Sequence, residues 1–356
     1  MSTETLPFAD LHRRLGARFA VYRGFDSPAS YATVDEEYEA LRHGCALVDR
    51  GWVTGLEMLG EDRSRFLNGL VTCEVKGLEP GHGRYGFLTD VKGRILADVT
   101  VLALSDRLWL ELPAGKAEEI GAHLRKYVIV DRVEIQTLDP APLSLVGPRS
   151  EELLEGLLGD GADRPREVRD HVAAELSGTA VRLVRDPDLG APAWTLWVPP
   201  ESFASVLESL LERGDAGVRP VGFEALERLR VEEGRPLSGV DYGAESFPQE
   251  TGDESAVSYT KGCYLGQEVV ARIHYRGGVK RQLRGLLFAG DRPAAEHRGR
   301  GVLHGQRPAG TVTSTADAAD GRRLGLAMLH KRVEPGMTVE IEDGGTAEVV
   351  ALPFTP

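Results

Sequence analysis

One stretch of the chain concentrates residues able to do chemistry. Residues 261–268 read KGCYLGQE, with FPQE at 247–250 ahead of them and VVARIHYRGG at 269–278 behind. Cys263, one of only three cysteines, lies two residues after Lys261. A thiol acts as nucleophile or metal ligand in its thiolate form, which cations and helix N-termini favour. Lys261 supplies the cation, and the residues from Gly266 onward read as a helix start. The same spacing suits a small, half-buried cysteine in a glycine-lined turn, so the residues alone leave both roles open. Asp98 is the second candidate: it interrupts the apolar run ILADVTVLAL. A buried carboxylate needs a partner or a ligand, whereas an edge-strand aspartate can face water.

The elements around these residues follow from period and punctuation. Residues 35–43 read as a helix with acids in its first turn, 46–49 as a buried strand start, and 61–72 as a helix. Residues 85–89 and 95–104 form two strands joined by the turn residues Asp90-Val91-Lys92-Gly93. The second strand sets Ile95, Ala97, Val99 and Val101 on one face, and Leu96, Asp98 and Thr100 on the other. Strands are predicted at 107–113, 127–133, 181–184 and 194–198, and helices at 115–127, 151–158, 201–213 and 222–236. Arg230 and Glu232 fall at the end of the last helix, where the dipole alone favours a cation. Alternation puts Trp194 and Trp197 on different faces from Thr195 and Leu196 respectively; they could offer stacking to a ligand, with core packing as their expected work. Past Gly278 the chain turns to short β runs between Gly, Pro and Asp turns, which predicts a small β-barrel over 279–356. The whole is an α+β fold with mixed and antiparallel sheets, not a regular βαβ wrap.

Composition narrows the class. The 356 residues are too many for one core, so two or three domains are expected. The net charge of −13 argues against a general nucleic-acid or anionic-membrane surface. No apolar run approaches the ~20 residues of a membrane span, and the N-terminal segment lacks an apolar signal core. Cys45, Cys73 and Cys263 are well separated and form no CxxC pair. They fit a reduced, cytoplasmic setting without a recognisable metal motif, and Cys45 and Cys73 read as core residues. No G-x-G-x-x-G follows a strand and no P-loop is present.

The motif KGCYLGQE resembles the signature of the YgfZ family, folate-binding proteins related to the glycine-cleavage T protein, an aminomethyltransferase. EYEALRHGCALVDRGW, GRILADV, LRVEEGRP and AGTVTS…LGLAMLHK…GMTVEI resemble further segments of that superfamily, in order from about residue 35 to the end. The resemblance implies a T-protein-like multidomain ring with a folate-binding region at 1–278, of two interleaved subdomains, and a C-terminal barrel at 279–356. It further implies tetrahydrofolate, or a one-carbon derivative, as the ligand. Asp98 lies at the position of the strand aspartate beside the reactive folate nitrogens, and Arg230 at that of a folate-binding arginine. Tyr264 and Gln267 of the motif join them as folate contacts. Cys263 and Lys261 are the reactive pair.

Where T-protein aminomethyltransferases have aspartate, this chain has Cys263, which sorts it with YgfZ. The stretch from Gly190 lacks the acid that grips the pterin edge, and Ser238 stands where a tyrosine is expected. The function so implied is an accessory factor, more than a classical enzyme, supporting assembly or repair of iron–sulfur clusters in client proteins. The alternatives are a folate-dependent aminomethyltransferase and a non-catalytic folate-binding scaffold. A monomer is expected, because this fold can close its own cavity.

Overall fold

The computed structural model describes residues 4–354 apart from 114, 140, 160–162, 188–190 and 213–216. The chain divides into two compact units, one of residues 1–86 and 98–226, the other of residues 87–97 and 227–356.

In the first unit a six-stranded sheet includes Cys45–Asp49, Ala141–Val146, Thr179–Asp186 and Ala193–Val198. One face packs Leu47, Leu143, Leu145, Leu183, Trp194 and Leu196 against Phe203, Val206, Leu207 and Leu210 of the helix Phe203–Leu211. The helix Val34–His43 opens on a capping box. Thr33 Oγ1 accepts from the Glu36 amide, and the Glu36 carboxylate accepts from the Thr33 amide, satisfying two end donors reciprocally. His12, 1% exposed, is held between Asp49 and the Tyr31 hydroxyl, 2.7 Å from each.

A five-stranded sheet is ordered with Gly83–Thr89 at one edge, then Ile95–Ala103, Arg107–Pro113, Val53–Leu59 and Glu134–Leu138. The alternation read in the sequence is present: Ile95, Ala97, Val99 and Val101 are buried, while Leu96, Asp98 and Thr100 are half-exposed. The two strands join through a tight turn, in which the Asp90 side chain accepts from the amides of Lys92 and Arg94, both at 2.8 Å.

Two expectations fail locally. The span 127–133 is not a strand: Tyr127 and Val128 donate turn bonds back to Leu124 and Arg125, and Ile129 and Val130 are each 84% exposed. Its β-branched residues imitate a strand, but Asp62 holds the Arg132 amide and Asp131 pairs with Arg65, so the loop is anchored by its polar groups. The helix expected over 61–72 is only Arg63–Asn68, because Asn68 turns its side chain to the amides of Val75 and Lys76. In the second unit the predicted barrel is present: six antiparallel strands, from Arg281–Phe288 to Thr346–Val350, close on one another. They enclose Leu286, Val302, Val312, Leu329, Val339 and Val349. The first barrel strand begins at Arg281, and the compact unit also takes in 227–280 and the hairpin 87–97.

Candidate functional site

The cysteine motif lies wholly in the second unit, and most of its residues are structural. The helix expected after Gly266 is Gln267–Arg276. Gly266 caps it in the left-handed region at φ 83°, and a Cβ there would sit 2.5 Å from the Asp90 carbonyl oxygen. Thr89 Oγ1 donates to the Leu265 carbonyl at 2.6 Å, so this turn is bound to the hairpin tip. Gly266→Ala is therefore expected to cost about 1–2 kcal/mol from the left-handed strain alone, with the clash at Asp90 adding to it, and to loosen the loop that carries Cys263. Urea unfolding and the rate of Cys263 alkylation would check it. Unchanged values for both would show that the turn adapts freely.

The approach FPQE is equally committed. Gln249 donates to the Val270 carbonyl at 2.8 Å, and the buried Glu250 pairs with Arg281. The Arg94 guanidinium covers the Phe247 ring at 3.9 Å. Lys261, 7% exposed, places its ammonium 5.1 Å from the centre of the Tyr264 ring, a cation–π contact that occupies the expected activating cation. Gln267 forms the first residue of the helix, its amide donating to the Tyr264 carbonyl. The Tyr264 hydroxyl is buried without a hydrogen-bond partner, and burial raises its pKa. Cys263 alone among the cysteines is exposed; Cys45 is fully buried, its thiol pushed up to about 12 by desolvation, and Cys73 is buried too.

Arg230 departs from the expectation of a ligand-facing guanidinium. It is 6% exposed. Its Nε and Nη2 donate to Glu227, Nη1 donates to Asp241 and to the Arg235 carbonyl, and Nη2 also donates to Ser314 Oγ. These bonds use all the N–H donors a guanidinium has. Asp241 in turn accepts from Leu237, Thr313 and Ser314. Arg230 thus clamps the end of its helix to a barrel strand.

Asp98 lies in the first unit, in a cluster that the sequence did not reveal. The Tyr85 hydroxyl donates to Asp98 Oδ2 at 3.4 Å, and the Arg169 guanidinium lies 5.0 Å from the Tyr85 ring centre. Thr100 is registered with Glu111, so Asp98, Thr100 and Glu111 share one face of the five-stranded sheet. Arg50 bridges from Glu111 at 2.8 Å to Thr195 of the six-stranded sheet, also at 2.8 Å, with Asp186 at 3.5 Å. Thr195 donates to Asp186 and exchanges a 2.9 Å bond with Ser144. Trp109 and Trp197 meet in the same layer, ring centres 5.7 Å apart. Two carboxylates therefore share one guanidinium. Burial, opposed by the Arg50 charge and reinforced by Glu111, holds the Asp186 carboxyl above its ordinary range.

This cluster bears on the missing acid. Residues 188–190 of that loop lie outside the described residues, but Thr195 in the following strand is bonded to the Asp186 carboxylate. Among the described residues no group of His, Cys, Asp and Glu side chains could hold a metal ion, and no helix is long and apolar enough to cross a membrane.

The GCVT N-terminal domain family matches residues 8–261. An aminomethyltransferase of Rubrobacter xylanophilus is 32% identical, over 98% of this chain and 93% of its own. One from Thermus thermophilus is 29% identical over 98% of both. The crystal structure of glycine cleavage system aminomethyltransferase T from Bartonella henselae superposes with a TM-score of 0.90, at 24% identity, over 99% of this chain and 98% of that one. That likeness confirms the T-protein-like α+β fold. The matches reach the wider family and not the YgfZ branch in particular, and the relatives carry the name of the enzyme. The chain belongs to the GCVT-domain family, within the aminomethyltransferase (T-protein) superfamily.

Proposed function

We propose that this protein binds tetrahydrofolate, or a one-carbon derivative of it, and carries out folate-dependent aminomethyl transfer of the glycine-cleavage type. The observation that carries this is the run of carboxylates from Asp98 through Glu111 to Asp186 in one polar layer of the first unit. End-to-end likeness to relatives named aminomethyltransferase supports it. A pterin edge presents adjacent N–H donors, which a carboxylate accepts in pairs. Asp186, with a neighbour carboxylate and a single shared guanidinium, has the acceptor capacity that the Gly190 stretch lacks. Asp98 orients the reacting folate nitrogen and takes up its proton. The methylene carbon then forms bonds to two folate nitrogens as its bonds to the donor's amine and to the carrier break. The amine leaves as ammonia with the proton held by Asp98, and the carrier atom takes the proton of the second folate N–H.

Calorimetric titration of the full chain with tetrahydrofolate under reducing conditions is the first test. Saturable binding is expected, weakened at least about tenfold, or 1.4 kcal/mol, by Asp98→Asn and by Asp186→Asn separately. Ammonia release from an aminomethylated carrier protein is the second measurement. Failure to bind folate removes the proposal, and binding without ammonia release removes the transferase step.

The exposed Cys263 favours a second role, as an accessory factor for iron–sulfur cluster assembly or repair. One thiolate cannot hold a cluster that normally takes about four, so a client or assembly partner would supply the remainder. Cys263→Ser should then depress cluster-dependent enzymes severalfold in cells while leaving folate affinity intact. Full cluster-enzyme activity in the variant would reduce Cys263 to a packing residue.

A further inference from the structure

The polar layer between the two sheets of the first unit runs beyond the folate-assigned carboxylates. At its far end it opens into a pocket of about 520 Å³ bordered by Trp109, His171, Arg182 and the pair Asp106–Arg107. Such a volume suits a small molecule. Arg107 is already neutralised, bonded to both Asp106 oxygens and to Glu57. Arg182 is not. Its guanidinium carbon stands 5.3 Å from the centre of the Trp109 ring, and its one hydrogen bond runs from Nη1 to His171 Nδ1 at 2.9 Å. That acceptor is a neutral ring nitrogen and brings no negative charge. Among the described residues no carboxylate lies in ion-pair range of Arg182, and its Nε is buried without a partner.

A half-buried cation with no counter-charge is costly to keep, and the desolvation is enough to lower the pKa of this arginine. Its Nε and Nη2 form the edge of the guanidinium that accepts a carboxylate side-on, through two parallel N–H···O bonds. Because Nη1 is tied to His171, this edge is held in one orientation. The indole of Trp109 beside it offers a flat apolar wall for whatever bears the anion.

We infer that this pocket is a binding site for a small anionic ligand, whose carboxylate or phosphoryl oxygens take the Nε/Nη2 edge of Arg182. None of its residues is assigned to folate above, so the site stands or falls separately. The test titrates the full-length protein with benzoate and with inorganic phosphate, followed by calorimetry and by saturation-transfer NMR. Saturable binding is expected, reduced at least tenfold by Arg182→Gln. Tighter binding of benzoate than phosphate, with a loss in Trp109→Ala, identifies an aromatic carboxylate ligand, and the reverse order identifies a phosphoryl ligand. Arg182→Lys keeps the charge without the fork, so it should retain phosphate better than benzoate. The melting temperature of Arg182→Gln should equal or exceed that of the wild type, because an uncompensated charge is removed. A lowered melting temperature with probe binding unchanged would make Arg182 a packing residue, and the absence of saturable binding to either probe would equally overturn the site.

Discussion

Arg230→Met should destabilise the second unit by about 3–5 kcal/mol, the usual result of removing one partner from a buried ion pair. The substitution leaves Asp241, whose side chain is fully buried, with no cation at Oδ2, and leaves Glu227 and Ser314 without their shared donor. Methionine fills the volume, so the loss reports charge and hydrogen bonding and not a cavity. Urea unfolding monitored by calorimetry and circular dichroism would measure it. A loss under about 1 kcal/mol would mean that Asp241 finds another cation, and the clamp would be refuted. Tetrahydrofolate affinity per folded molecule then separates a clamp from a ligand contact, and it should be unchanged.

Acid sensitivity should be governed in part by His171. Burial, with the Arg182 charge beside it, lowers its pKa to about 4 against opposing contributions from the carbonyls of Ala103 and His82 and from Asp170. The unfolded value is about 6.5, so between these limits the unfolded chain holds the extra proton. The contribution of neutral His171 is therefore complete above about pH 6.5 and is lost as the pH falls toward 4. The slope is about 1.4 kcal/mol per unit, for a total of about 3 kcal/mol. Comparing unfolding free energies of the wild type and His171→Gln at pH 7 and pH 4.5 isolates this from the carboxylates common to both. Parallel pH curves would show that His171 titrates as it does in water.

Features set by neighbours in the chain were legible from residue types. The turn at Asp90–Gly93, the alternation around Asp98, the helix after Gly266 and the glycine-punctuated barrel each depend on local spacing. The Arg50 cluster was not legible, because Arg50 meets Glu111 and Asp186 at separations of 61 and 136 residues. Nothing near any of these residues marks it as part of a site. The role of Arg230 was half legible: its position at a helix end was clear, but the buried Asp241 that occupies it depends on how the following loop folds back. The span 127–133 shows the opposite failure, in which a strand-like composition is overruled by turn bonds and by anchors from Asp62 and Arg65.

The hairpin of residues 87–97 belongs to the unit otherwise built from residues 227–356. On the ribosome it is made about 130 residues before the rest of its unit begins, a delay of roughly 7–26 s at about 5–20 residues per second. During that interval the first unit can assemble, since all of its residues have emerged by residue 226. The second unit cannot start until the C-terminal third of the chain is released. Cutting the gene at residue 226 would thus yield no separable pair of domains. It would leave a first half bearing an orphaned hairpin, and a second half without the turn on which its cysteine loop is seated.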